Sequence, residues 1–167
     1  MNLIIYGNSG SGKTTLAKLL SNEGYCHINT GDITRLMAAM DCHNLPVIVQ
    51  SMVASMSDKP HVFDHFYIHT YEQIADIFGA APVVIKLIDE RSVSHDTNRK
   101  RRRFAVQEPK IEYYLKHASA KVVTVYNTDY GFDVSELINE GYLPFDTFAV
   151  IKPKITGGPL CKVASEL

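Results

Sequence analysis

Short apolar runs alternate along this chain with segments of helical period. Residues 3–6, Leu-Ile-Ile-Tyr, are apolar on both faces and too few for a helix, which predicts a buried strand. A glycine-rich turn over 7–12 follows. Residues 13–23 carry Leu16, Ala17, Leu19 and Leu20 at helical spacing and stop at Gly24. Residues 25–28 predict a second strand. Thr30-Gly31-Asp32 offers caps for a helix over 33–40, and Asn44 with Pro46 opens another, in which Leu45, Ile48, Val49, Met52, Val53 and Met56 repeat at helical period. Residues 61–63 predict a short strand ending at Asp64, and 70–78 a helix stopped by Gly79.

The run over 82–88 is continuously apolar apart from one lysine, as the centre of a parallel sheet requires. Residues 89–103 are polar and cationic and predict a helix or hinged flap. A helix over 109–118, a strand over 121–126 and a short helix over 134–139 come next. From 141 the helical pattern is lost; 148–151 predict an edge strand, and Gly157-Gly158 lies in a loose tail over 141–167. Strands alternating with helices predict an α/β sandwich whose sheet is mostly parallel. With 167 residues and no internal repeat, a single domain over 1–167 is expected.

Composition adds little. Hydrophobic residues make up 46% and charged residues 21%, and the net charge is −1, which excludes a uniformly basic nucleic-acid binder. Cys26, Cys42 and Cys161 form no CxxC pair, so reduced thiols are expected rather than a disulfide framework or zinc knuckle. There is no signal-peptide pattern, and no apolar run approaches the roughly 20 residues that span a bilayer, so a cytoplasmic protein without membrane partners is expected.

Gly7-Asn8-Ser9-Gly10-Ser11-Gly12-Lys13-Thr14 satisfies GxxxxGK[ST] between a strand and a helix. Glycines let the backbone curl so that successive N–H groups face phosphate oxygens, and the helix N-terminus adds its positive dipole end. Lys13 is expected between the β- and γ-phosphates, the Thr14 hydroxyl on Mg²⁺, and Thr15 near a phosphate. The motif points to a nucleotide phosphate site with Mg²⁺ and does not by itself separate ATP from GTP. It leaves the reaction open, although the chain is too short for large mechanical domains, and Asn127-Thr128-Asp129 does not form an NKxD-type guanine motif.

Behind the loop stand Asn29-Thr30-Gly31-Asp32-Ile33-Thr34-Arg35 and Val62-Phe63-Asp64-His65-Phe66. These segments resemble the "STGD-x-x-R" and "LDGFPR" segments of P-loop nucleoside monophosphate kinases of the adenylate kinase type. The resemblance covers about residues 2–140 and implies a five-stranded, mostly parallel sheet of order 2-3-1-4-5 in a three-layer sandwich. It implies acceptor binding by Thr30 and Arg35, beside Asp32, with Asp64 ordering the Mg²⁺ water shell. It also implies a lid over about 90–104, and an ATP-base loop over 127–130. His65 stands where the family has glycine, and no Pro-Arg follows, so one acceptor-phosphate arginine is missing. His65 becomes a candidate acceptor contact in that region. His61, His65 and His69 are four apart, but Asp64 interrupts a shared helix, so a metal site is not expected.

Five consecutive cations occupy 99–103. In a helix Arg99, Arg102 and Arg103 share a face. The resemblance implies that arginines here close over the transferring phosphoryl group as catalytic residues; a nucleic-acid contact along a phosphate backbone is the competing reading. The resulting expectation is a small ATP- and Mg²⁺-dependent kinase acting on a nucleoside or deoxynucleoside monophosphate. A kinase for a hydroxyl of a metabolite or of a modified base in DNA, and a nucleotide-dependent switch protein, stay open.

Overall fold

The computed structural model of the chain describes residues 1–31, 39, 58–92 and 98–144, apart from the side chains of 69 and 98–103. In chain order its elements are β1 (Leu3–Gly7), α1 (Lys13–Ser21), β2 (Cys26–Ile28), β3 (His61–Phe63), α2 (Ile68–Phe78), β4 (Val83–Asp89), α3 (Asn98–His117), β5 (Val122–Thr128), β6 (Gly131–Asp133) and α4 (Ser135–Asn139). The helices expected over 33–40 and 45–56, the strand over 148–151 and the tail from 145 lie outside the described residues.

The sheet has six strands in the order β2-β3-β1-β4-β5-β6. All pairs are parallel except β5 with β6. This corrects the expected five-stranded sheet, since β6 extends it with an antiparallel edge. Three residues are too few to show a period of two. The hairpin is made by its turn: Thr128 Oγ1 donates to the Gly131 carbonyl at 2.8 Å and accepts from the Tyr130 N–H at 3.2 Å. Gly131 sits at φ 112°, where a side chain would be strained.

Side chains of β1 alternate between two cores. Leu3 and Ile5 pack with Leu16, Ala17 and Leu20 of α1 and Leu137 of α4. Ile4 and Tyr6 pack on the opposite face with Tyr71 and Ile74 of α2 and Leu115 of α3. Each fully buried Leu or Ile contributes about 1.5–3 kcal/mol, so the central strand anchors both faces.

Two helix expectations change. Helix α2 starts at Ile68 rather than 70, and ends, as expected, at left-handed Gly79 (φ 69°). Of the helix or hinged flap expected over 89–103, the part from Asn98 is helical, and it does not stop before a separate helix at Pro109: one helix of 20 residues runs through the proline. Proline cannot donate to the carbonyl four residues back. That residue, Ala105, is exposed, where water can satisfy the carbonyl. Phe104, Ile111 and Leu115, on one helical face, pack on the core from both sides of Pro109 and hold the helix in one piece.

Register brings the functional ends together. Gly7 lies beside Leu87, Ile28 beside Phe63, and Asp89 beside Asn127. The glycine-rich loop, Asp64, Asp89 and Asn127 therefore share the C-terminal edge of the parallel strands, where open α/β sheets bind ligands.

Candidate functional site

The loop from β1 to α1 has little freedom in its sequence. A Cβ on Gly7 would lie 2.5 Å from the Leu87 carbonyl oxygen. Gly12 has φ 99°, and its Cβ would lie 2.8 Å from Asn127 Nδ2. The Ser11 N–H donates to the Asn8 carbonyl at 3.2 Å and closes the curl, and the Gly12 carbonyl accepts the first helical bond from Leu16 at 2.8 Å. Ser11 is buried, and Asn8, Ser9 and Gly10 complete the loop. Lys13 Nζ donates to the Gly7 and Asn8 carbonyls at 3.0 and 2.8 Å, which holds its ammonium group over the loop. Thr15 is exposed in the first turn of α1.

Asp64, just past β3, is fully buried and collects donors from three segments. Oδ2 accepts from the Thr14 hydroxyl at 3.1 Å and faces His27 Nε2 at 2.9 Å. Oδ1 accepts from the Thr30 N–H and hydroxyl at 3.2 and 3.3 Å and faces His65 Nδ1 at 3.4 Å. Burial alone would raise its pKa. Hydrogen bonds from His65 and His27, with the attraction of either ring when protonated, outweigh this and hold the carboxyl well below the ordinary range. An ionised carboxylate beside the Thr14 hydroxyl is a pair of hard oxygen donors suited to magnesium. Among the described residues no cluster of three or more His, Cys, Asp or Glu is placed to hold a metal ion.

In front of the loop lies a cavity of about 260 Å³ lined by Tyr6, Lys13, His65, Tyr67, Phe104 and Gln107, with Gly7 and Ser9 at its rim. His65 and Tyr67 stack with their planes 14° apart. Burial pushes the Tyr6 phenol up to about 12; Lys86 opposes this, and Glu112 and Glu108 add to it, so Tyr6 stays a neutral donor. A second cavity of about 380 Å³ continues past Tyr6 and Phe104 toward Lys86, Asp89 and Glu108.

The structure thus brings Lys13, Thr14, Thr30, Asp64 and His65 together. Thr30 turns both its N–H and its hydroxyl onto Asp64. The expectations for Asp32 and Arg35 lie outside the described residues, and Arg99, Arg102 and Arg103 are described only as backbone in the first turns of α3. Of the residues expected near the ATP base, Asn127 and Thr128 end β5 and Asp129 and Tyr130 form the turn to β6, and Asn127 Nδ2 donates to the Ser11 carbonyl at 2.8 Å.

The sequence reading missed His27, Phe104 and Gln107. His27 reaches Asp64 because β2 pairs with β3, and Phe104 reaches Tyr6 because α3 folds back over β1; no local motif announces either contact. Thr70 Oγ1 and Gln73 Oε1 of α2 are buried and without a partner among the described residues.

No family model matches the chain. A stretch of 36 residues, 21% of the chain, is 58% identical to adenylate kinases of Borrelia duttonii and Borrelia recurrentis, and covers 17% of each. Over 124 residues, 71% of the chain, it is 27% identical to a cytidylate kinase of Caldicellulosiruptor bescii and covers 44% of that protein. The chain thus spans less than half the length of these curated relatives. The similarity is distant and partial, and it supports kinship with the nucleoside monophosphate kinases in general.

Proposed function

We propose that the chain is a P-loop phosphotransferase that moves the γ-phosphoryl group of ATP to a nucleoside or deoxynucleoside monophosphate. The observation that carries this reading is the meeting of the Thr14 hydroxyl with buried, ionised Asp64 beside a loop whose Lys13 lines an aromatic cavity. The relatives named adenylate and cytidylate kinase support the same class.

In this reading the loop amides and Lys13 hold the donor phosphates. Lys13 exchanges the Gly7 and Asn8 carbonyls for phosphate oxygens. Thr14 and Asp64 would hold magnesium, which neutralises phosphate charge when bound. Tyr6, His65, Tyr67 and Phe104 receive the acceptor. The arginines at 99, 102 and 103 stabilise the transferring group from the start of α3. A monophosphate oxygen is already ionised, so positioning and charge neutralisation carry the catalysis. That fits Asp64, whose oxygens are occupied by Thr14, His27, Thr30 and His65, which leaves it poorly placed to take a hydroxyl proton.

The test is transfer from labelled ATP with Mg²⁺ to a panel of nucleoside and deoxynucleoside monophosphates, hydroxyl compounds, DNA or water alone. Transfer to at least one monophosphate is expected, and Lys13→Ala should abolish it. Label released only to water, or appearing only on DNA or a free hydroxyl, removes the proposal.

A further inference from the structure

Two carbonyls on the outer side of the glycine-rich loop are held by side chains from the far half of the sheet. Arg91 Nη2 donates to the Gly10 carbonyl at 2.6 Å. Asn127 Nδ2 donates to the Ser11 carbonyl at 2.8 Å. These are consecutive peptide units, and no peptide bond is cis among the described residues. In a planar trans peptide the following N–H points opposite to the carbonyl. Holding the two carbonyls outward therefore turns the N–H groups of Ser11 and Gly12 to the inner side of the loop, where the Ser11 N–H meets the Asn8 carbonyl at 3.2 Å, an acceptor that a phosphate oxygen would replace.

Both holding groups are themselves fixed. The Arg91 guanidinium forks onto the Asp89 carboxylate, with Nε and Nη2 each at 2.8 Å, and its backbone N–H reaches the same carboxylate at 3.2 Å. The next residue, Ser92, donates its N–H to Asp129 at 2.9 Å, and its hydroxyl bonds the other oxygen of that carboxylate. Asn127 is 5% exposed, and its carbonyl accepts the Glu90 N–H at 2.8 Å. Gly12 fits against the Asn127 amide only because it lacks a Cβ. The end of β4, the end of β5 and the glycine-rich loop are thus one hydrogen-bonded unit. Neither Arg91 nor Asn127 lines the cavity in front of the loop.

We infer that Arg91 and Asn127 are positioning residues for the donor phosphates: they hold the Gly10–Ser11 and Ser11–Gly12 peptide planes so that the loop amides face the phosphates before the nucleotide arrives. This rests on the proposed ATP site. The free-energy cost of ordering the loop is met on folding instead of on binding, so the pair acts on donor affinity. Because both residues lie outside the acceptor cavity, acceptor affinity is independent of them.

The experiment compares the unaltered protein with Arg91→Lys, Arg91→Ala and Asn127→Asp. Lysine keeps the charge but lacks the fork that spans Asp89 and the Gly10 carbonyl together. Aspartate places an oxygen against the Ser11 carbonyl. Equilibrium titration gives the Kd for MgATP, steady-state kinetics gives KM for ATP and for the acceptor, and thermal unfolding checks the fold. The expected result is a rise of roughly tenfold in Kd and in KM for ATP, the scale of one net hydrogen bond, with acceptor KM unchanged. An unchanged ATP Kd in folded Arg91→Lys and Asn127→Asp overturns the positioning role and leaves the ATP site standing. Equal rises in both KM values, alongside a lowered unfolding temperature, assign the residues to stability alone and also overturn it. Failure of the unaltered protein to bind MgATP overturns the ATP site itself, and the inference with it.

Discussion

Replacing Asp64 by asparagine tests the centre of the site through stability as well as activity. The side chain is fully buried, and its two oxygens face Thr14, His27, Thr30 and His65. Asparagine keeps the shape and one acceptor oxygen but removes the charge. Hydrogen bonds to an ionised group contribute about 1.5–3 kcal/mol, against about 0.5–1.5 kcal/mol for neutral ones. The bonds on the replaced oxygen must also be rearranged, and part of the loss is offset because no charge is left to desolvate. The net cost should be about 2–3 kcal/mol, or on the order of 4–12 °C in Tm for a chain of this size. The carboxyl is held below its ordinary pKa, so the ionised form favours the folded state. That stability is complete above the ordinary carboxylate value of about 4 and is lost as pH falls through the lower folded value. Urea unfolding followed by circular dichroism from pH 7 to pH 3 should therefore show a gap between Asp64 and Asp64→Asn that narrows on acidification. A gap of the same size at pH 3 and pH 7, or no gap at all, would refute the buried, ionised carboxylate.

Three further outcomes are expected. Gly7→Ala places a methyl group 2.5 Å from the Leu87 carbonyl oxygen and should cost about 1–3 kcal/mol in unfolding free energy, because β1 and β4 must separate; an unchanged denaturation midpoint would show that the strands yield freely. Phe104→Ala, at the cavity wall, should raise acceptor KM about tenfold while KM for ATP stays constant, and steady-state kinetics with each substrate varied will separate the two. His61 is buried beside Phe63 and Phe78, both its ring nitrogens lack a partner among the described residues, and burial lowers its pKa. The unfolded state then binds its proton first, so stability falls as pH drops below about 6.5; His61→Phe should flatten unfolding free energy between pH 7 and pH 5, and a slope like that of the unaltered protein would remove His61 as the cause.

How far a feature could be read from the sequence depended on whether its cause was local. The strand expected at 3–6, found one residue longer, the helix stop at Gly79 and the glycine-rich loop all follow from a few adjacent residues. Helix α3 shows where local reasoning fails. Pro109 marks a helix start by its own chemistry, but packing of Phe104, Ile111 and Leu115 against the sheet overrides it. Strand β6 escaped because three residues carry no period, and its turn works through the Thr128 hydroxyl.

The site divides in the same way. The places of Lys13 and Thr14 are legible because the glycine-rich loop is one continuous stretch between a strand and a helix, and that of Asp64 because it ends a strand. The sequence by itself therefore determined an α/β chain with a glycine-rich loop and a carboxylate at the C-terminal edge of its parallel strands. Only the tertiary structure decided what surrounds them. Parallel pairing of β2 with β3 sets His27 on Asp64, and the fold of α3 back over β1 brings Phe104 to the cavity. The register of β4 against β5 lets Arg91 and Asn127 take hold of the loop carbonyls. Each of these contacts joins residues from separate elements, and strand order and register, which no short stretch of sequence contains, bring them within bonding distance.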